Sequence, residues 1–107
     1  MKIVVKTTFE DWHKWVDAPE EVYYLKFPHR HLFYVQISCE VKHDDRELEF
    51  FMVKKYLDHI IKSDIKRMEI TKSCEQMANR IKNILQIKYK RPFEVAIYED
   101  NENGVVV

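Results

Sequence analysis

Two histidines stand two residues apart in FPHRHLFYVQISCEV, residues 27–41: His29 and His31. Imidazole nitrogen is the commonest protein metal ligand, and catalytic zinc typically keeps three protein ligands and one open position. Alternate residues of a β-strand project from one face. His-x-His at the start of a strand therefore offers two ligands side by side. A third must come from another element. His13, in FEDWHKW at the end of the first strand, is the best placed, because that strand should lie beside the second. His43 falls at the wrong end of the long strand, and His59 in or near the first helix. A His-x-His pair also arises by chance, so the pair alone does not define a site.

The elements that must position these side chains are legible from periodicity. In the long segment from about His29 to Lys42, His29, His31, Phe33, Val35, Ile37, Cys39 and Val41 share one parity. Period two with β-branched and aromatic residues predicts a strand. Residues 2–9, KIVVKTTF, are strand-like, and EDWHKW either continues that strand or turns. Residues 16–28 carry Pro19 and Pro28 and read as a loop. After the polar KHDDRE turn, the apolar positions Phe50, Val53, Leu57, Ile60 and Ile61 predict one face of a helix that frays near Ser63 and Asp64. Ser73 with Gln76 three residues on is a capping-box pattern. The helix it opens carries Met77, Ile81, Ile84 and Leu85 as its apolar stripe. FEVAIYE is a strand, DNENG a hairpin turn, and VVV a last strand. The order β-β-α-α-β-β predicts an α+β domain with an antiparallel four-stranded sheet and two helices on one face. Two open sheet edges then make a homo-oligomer the expected state.

Composition removes several function classes. The 107 residues include 18 basic and 18 acidic side chains, a formal net charge of zero, so nothing points to nucleic acid or an anionic membrane. No apolar run approaches membrane-spanning length and no signal-peptide pattern is present, so a soluble, cytoplasmic, single-domain protein over residues 1–107 is expected. Cys39 and Cys74 belong to no C-x-x-C pair and read as free thiols. Gly104 is the only glycine. Phosphate-cradling loops need glycines, which excludes a P-loop and a dinucleotide-binding fingerprint. The tight turns must use Asn, Asp and Pro instead.

Taken in order, four stretches resemble the 6-pyruvoyl-tetrahydropterin synthase and 6-carboxytetrahydropterin synthase family, whose T-fold has the order β-β-α-α-β-β. TFEDWHKW resembles the segment around that family's first zinc histidine, and FPHRHLFYVQISCEV its H-G-H strand. LEFFMVKKYL resembles its V-D-F-x-x-L-K helix start. SCEQMANRIKNIL followed by FEVAIYEDNENGVVV resembles its second helix and closing hairpin. The resemblance covers nearly the whole chain. It implies Zn2+ held by His13, His29 and His31, a pterin or purine-like small molecule anchored by Glu99, and a chemistry in which zinc polarises the side-chain oxygens of 7,8-dihydroneopterin triphosphate while a base moves a proton. It also implies that Asp58 and His59, in the LDH tripeptide, stand for the family's catalytic Asp-His pair. Their spacing fits when counted back from the second helix and is too short when counted forward from LEFF, so a place within a shortened helix is the alternative.

One departure bears on activity. The family's base is the cysteine of C-x-x-x-H-G-H. The corresponding residue here is Leu25, which accepts no proton, and Arg30 replaces the intervening glycine. Glu20 and Glu21 lie upstream in a loop and are the candidates to take the place of the base. Loss of a general base costs roughly 10²–10⁴-fold in rate. The expectation is a divergent zinc-binding protein of this type with weak or altered lyase activity; the alternative is a ligand-sequestering or regulatory protein that keeps the pocket. A structural oligomer without a working site is a third possibility, against which the zinc ligands argue.

Overall fold

A computed structural model describes residues 1–107. Strands β1 (Lys2–His13), β2 (His29–Glu40), β3 (Glu94–Glu99) and β4 (Gly104–Val106) form one antiparallel sheet in the order β1-β2-β3-β4. Helices α1 (Phe50–Ser63) and α2 (Cys74–Tyr89) cross between β2 and β3 and cover one face. This is the α+β order β-β-α-α-β-β with both helices on one side of the sheet.

The alternation that predicts the strands also decides which face is buried. Val5 and Phe9 of β1, Phe33, Val35, Ile37 and Cys39 of β2, and Val95 and Ile97 of β3 point toward the helices. From α1 they meet Val53, Leu57, Ile60 and Ile61, and from α2 Cys74, Met77, Ala78, Ile81 and Leu85. Each fully buried side chain of this kind contributes about 1.5–3 kcal/mol. Phe50 is not part of the stripe: it is 55% exposed beside Phe51 and Met52. It opens the helix, where the first turn projects beyond the sheet's cover. Ile84 is only partly buried at the edge of α2's apolar face.

Local chemistry sets the element ends. Ser73 caps α2, accepting from the Gln76 backbone N–H at 3.1 Å while the Gln76 side chain accepts from Ser73 N–H at 2.9 Å. Glu49 caps α1 by accepting from Met52 N–H at 2.9 Å. With one glycine in the chain, left-handed backbone falls on Arg46, Lys90, Asp100 and Asn101. Asp100 and Asn101 form the tight hairpin turn between β3 and β4, closed by Glu102 N–H to Glu99 C=O at 2.9 Å. Gly104 is needed for a different reason: a Cβ there would stand 2.1 Å from Ile97 O and 2.7 Å from Tyr98 Cα. A glycine here lets β4 approach β3.

Three boundaries differ from the sequence expectation. β1 runs on through EDWH to His13, paired with β2 in unbroken register from Lys2↔Glu40 to His13↔His29. β2 ends at Glu40 rather than Lys42. Residues Glu20–Lys26, expected as loop, form two short 3₁₀ turns joined by a kink at Val22. They bury no residue fully, so no apolar period marks them in the sequence.

Candidate metal centre

At one end of the sheet the helix-facing row changes from apolar to polar. Along β2 the row reads Phe33, His31, His29 toward the strand's start, and along β1 it reads Phe9, Asp11, His13 toward the strand's end. Register places His13 opposite His29 and Asp11 opposite His31. β3 adds Glu99, opposite Phe33 and so one step along the same face from His31. Five chemistry-bearing side chains from three strands, Asp11, His13, His29, His31 and Glu99, thus meet where the apolar core ends.

Each imidazole is held by its Nδ1. His13 donates to the Lys72 carbonyl at 3.0 Å, His29 to the Phe27 carbonyl at 2.9 Å, and His31 to Asp100 Oδ2 at 2.7 Å. Carbonyl and carboxylate oxygens only accept, so each Nδ1 carries the proton and Nε2 presents its lone pair in the neutral ring. One potential ligand atom from each ring falls within 4.8 Å of the other two. The Nε2 atoms of His13 and His31 are buried and have no hydrogen-bond partner. Lone pairs facing one another out of water are costly unless a cation lies between them. Nδ1–H donors fixed on all three rings, ligand atoms within 4.8 Å of one another and unpartnered Nε2 atoms on His13 and His31 suit a cluster that could hold a metal ion, and three imidazoles are a donor set that zinc accepts.

Glu99 enters the cluster directly. Its Oε1 lies 3.3 Å from His13 Nε2 and its Oε2 3.3 Å from His31 Nε2. These are charge contacts without the direction of a hydrogen bond. The Glu99 carboxylate raises the His13 pKa above its ordinary value, with burial opposing and the Lys72 carbonyl assisting. His13 in turn holds Glu99 below the usual carboxylate range, and His31 adds to this against burial. His31 likewise keeps Asp100 low, helped by the Leu32 N–H that Asp100 also accepts at 3.0 Å. Cys74 donates from Sγ to Glu99 Oε1 at 3.4 Å. Burial first, and then the Glu99 charge, pushes the Cys74 thiol up to about 12, so it stays protonated.

A cavity of about 570 Å³ opens onto this cluster, bordered by His13, His29, Glu99, Leu25, Cys74 and Lys72 among others. No protein-family model and no curated protein matches the chain. The cavity's character rests on its own walls. Leu25, tied by its carbonyl to Trp15 N–H at 2.7 Å, borders the cavity beside His13 and His29 and makes that part of the wall apolar. Glu20 and Glu21 are exposed and do not border it.

Of the residues singled out from sequence, His13, His29, His31 and Glu99 come together. Asp58 and His59 do not join them. Both are exposed on α1, where Asp58 accepts from Thr7 Oγ1 at 2.6 Å. Thr7 is six residues before His13 on β1, which is roughly 20 Å along a strand. Three supporting residues carry no sequence signal of their own. Asp100 is drawn in by the left-handed turn that aims its carboxylate at His31. Cys74 is hidden inside a capping box. Lys72 is a buried lysine whose carbonyl holds His13 and whose Nζ lies 2.8 Å from Asp11 Oδ2.

Proposed function

We propose that this chain is a zinc-binding protein of the 6-pyruvoyl/6-carboxytetrahydropterin synthase type that takes up a pterin or purine-like heterocycle. The convergence of three Nδ1-anchored imidazoles on one point, beside a heterocycle-sized cavity, carries this reading. Zinc, when bound, would supply a Lewis acid toward oxygens of a ligand side chain. The chain's own residues do the rest. His13, His29 and His31 hold the ion, and the Lys72 and Phe27 carbonyls with Asp100 fix their tautomers. Glu99 offers two acceptor oxygens to the amino and ring N–H edge that pterins and guanine share. In keeping with its share in the cavity wall, Leu25 excludes water and moves no proton.

A non-catalytic binding protein is the second reading, and Leu25 favours it. Cys74 is the one thiol at the cavity, and burial and Glu99 push it up to about 12, so it stays protonated and has no thiolate to act as a base. Neither reading gives Asp58 and His59 a catalytic role within one chain.

We further propose an oligomer assembled through sheet edges. β1 presents a 12-residue edge with no partner strand. Exposed Trp12, Trp15, Tyr23, Tyr24 and Phe27 lie on and after it, and such apolar surface marks association sites.

Metal analysis of the purified protein, joined to mass spectrometry of small molecules released on denaturation, tests the function. Zinc with a pterin or guanine derivative supports it. A metal-free protein that binds no such heterocycle on titration rejects it.

A further inference from the structure

Lys72 is buried beside the histidine cluster, and nothing proposed for the cavity uses its ammonium. Its Nζ lies 2.8 Å from Asp11 Oδ2, and the two side chains are only 3% and 13% exposed. That oxygen is buried and has no other partner. The second oxygen, Oδ1, accepts from Trp12 N–H at 2.8 Å. Taking a lysine and a carboxylate out of water is costly, and apolar residues of similar volume often serve stability as well or better. Stability alone is therefore a poor reason for the pair, and its use is better sought in what it holds in place.

Three contacts fasten residues 70–72 along the end of β1. Lys14 N–H donates to the Ile70 carbonyl at 3.0 Å. The His13 ring donates from Nδ1 to the Lys72 carbonyl at 3.0 Å. The Lys72 ammonium reaches Asp11, two residues before His13 and on the same face of the strand. One residue thus grips β1 twice, by its carbonyl at His13 and by its side chain at Asp11. The carbonyl lies in the connection before α2, where no ladder of strand bonds fixes its direction; the Lys72 N–H itself turns back to the Glu69 carbonyl at 2.9 Å. The ion pair supplies a second point of attachment, which keeps the carbonyl aimed at one ring nitrogen. His29 and His31 are held independently of this segment, by Phe27 and Asp100.

Resting on the reading that the three histidines hold a divalent metal, we infer that Lys72 is a positioning residue of that centre: its ion pair with Asp11 aims its carbonyl at His13 Nδ1, keeps the proton there and so leaves Nε2 for the metal. The direction of the effect separates this role from simple electrostatics. An ammonium beside the site repels a cation, so by charge alone its removal would raise metal affinity. By position, its removal lowers affinity. The expected size is the roughly 10–100-fold that loss of an outer partner of a metal-bound histidine brings.

Zinc affinity by chelator competition, without denaturant, tests this on the intact wild type, on Lys72→Met and on the double variant Asp11→Leu with Lys72→Met, which leaves the net charge unchanged. Both variants should bind zinc at least about 10-fold more weakly than wild type, the double variant even where its urea melt shows recovered stability. The His13 ring Nδ1–H resonance of the metal-free protein is a second readout, which a purely structural role would leave unmoved. It should be protected from exchange in wild type and lose that protection in both variants, while the Nδ1–H of His31 keeps its own. Affinity equal to or above wild type in either variant overturns the inference and leaves the histidine site standing. So does a His13 Nδ1–H that stays protected, or a loss shared with His31. A wild type that binds no zinc overturns the metal reading, and protection of the His13 ring alone then decides whether Lys72 positions it. If Lys72→Met does not fold by circular dichroism, the double variant decides by the same two measurements.

Discussion

Asp100 joins His31 across the sheet: the ring Nδ1 donates to Oδ2 at 2.7 Å while Oδ1 accepts from Leu32 N–H at 3.0 Å. The residue sits in left-handed backbone, which asparagine and aspartate tolerate best. One carboxylate thus sets the tautomer of His31 and clamps the β3–β4 turn onto β2. Asp100→Asn keeps the backbone preference and an oxygen for Leu32, and removes the charge behind the imidazole. Metal affinity should fall by roughly 10–100-fold with little loss of stability. Chelator competition beside a urea melt measures the two separately; equal affinities would show that His31 needs no carboxylate.

Lys72 and Asp11 form the most deeply buried ion pair of the chain, with Nζ 2.8 Å from Oδ2. Lys72 also presents its carbonyl to His13. Lys72→Met should destabilise the fold by about 3 kcal/mol, because Asp11 is left without its partner. Adding Asp11→Leu should recover part of that loss. Urea unfolding of the two variants checks both statements. A neutral Lys72→Met would mean that water replaces the ammonium.

Gly104 faces the backbone of Ile97 and Tyr98 too closely for any Cβ. Gly104→Ala should cost about 1–3 kcal/mol, the usual range for forced overpacking. The exchange rates of the Val95 and Glu99 amides, which donate to Val107 and Asn103 on the β4 side, followed by nuclear magnetic resonance, should rise with the loss of β4. Retained protection there would show that β4 shifts without detaching.

Glu47 ties the β2–α1 connection to the end of the sheet. It accepts from Lys42 N–H at 2.7 Å and from Arg91 Nη1 at 2.6 Å. These contacts, the Lys42 N–H first, hold its carboxyl below the ordinary value of 4.5. A lowered folded pKa means that the contribution is complete above about pH 4.5 and is lost as pH falls through the lowered value. Wild type should therefore lose stability across that acid window more steeply than Glu47→Gln. Thermal melts from pH 6 to pH 3 give the comparison, and parallel curves would remove Glu47 from the acid response.

Turnover of dihydroneopterin triphosphate by the wild-type chain should be absent or slower than a cysteine-bearing enzyme by roughly 10²–10⁴-fold, because Leu25 stands at the cavity. Leu25→Cys should raise it. Rapid wild-type turnover would require another base, and the cavity wall leaves Glu75 and Glu99 as the carboxylates to mutate first.

The sequence made the site's outline legible where a short period governs side-chain direction. Parity put His29 and His31 on one face, and the same parity on β1 brings His13 opposite His29 once EDWH is recognised as strand. Ser73 and Gln76 marked the α2 start through a purely local pair of hydrogen bonds. What stayed hidden depends on contacts between distant residues. Lys72 and Asp11 are 61 residues apart, and the burial of a lysine cannot be read from a polar stretch such as EITKS. Asp100 looked like a turn residue, and only the left-handed turn shows that its carboxylate points back to His31. The 3₁₀ turns of Glu20–Lys26 lack an apolar stripe altogether, so nothing periodic announced that Leu25 would reach the cavity.

Elemental analysis of protein purified without added metal or chelator, on wild type and His29→Ala together, bears most directly on the metal centre. Zinc close to one ion per chain in wild type, and a marked loss of metal in His29→Ala, is the expected result. A wild-type chain without any transition metal, whose melting is unaffected by zinc and by His29→Ala, would contradict it.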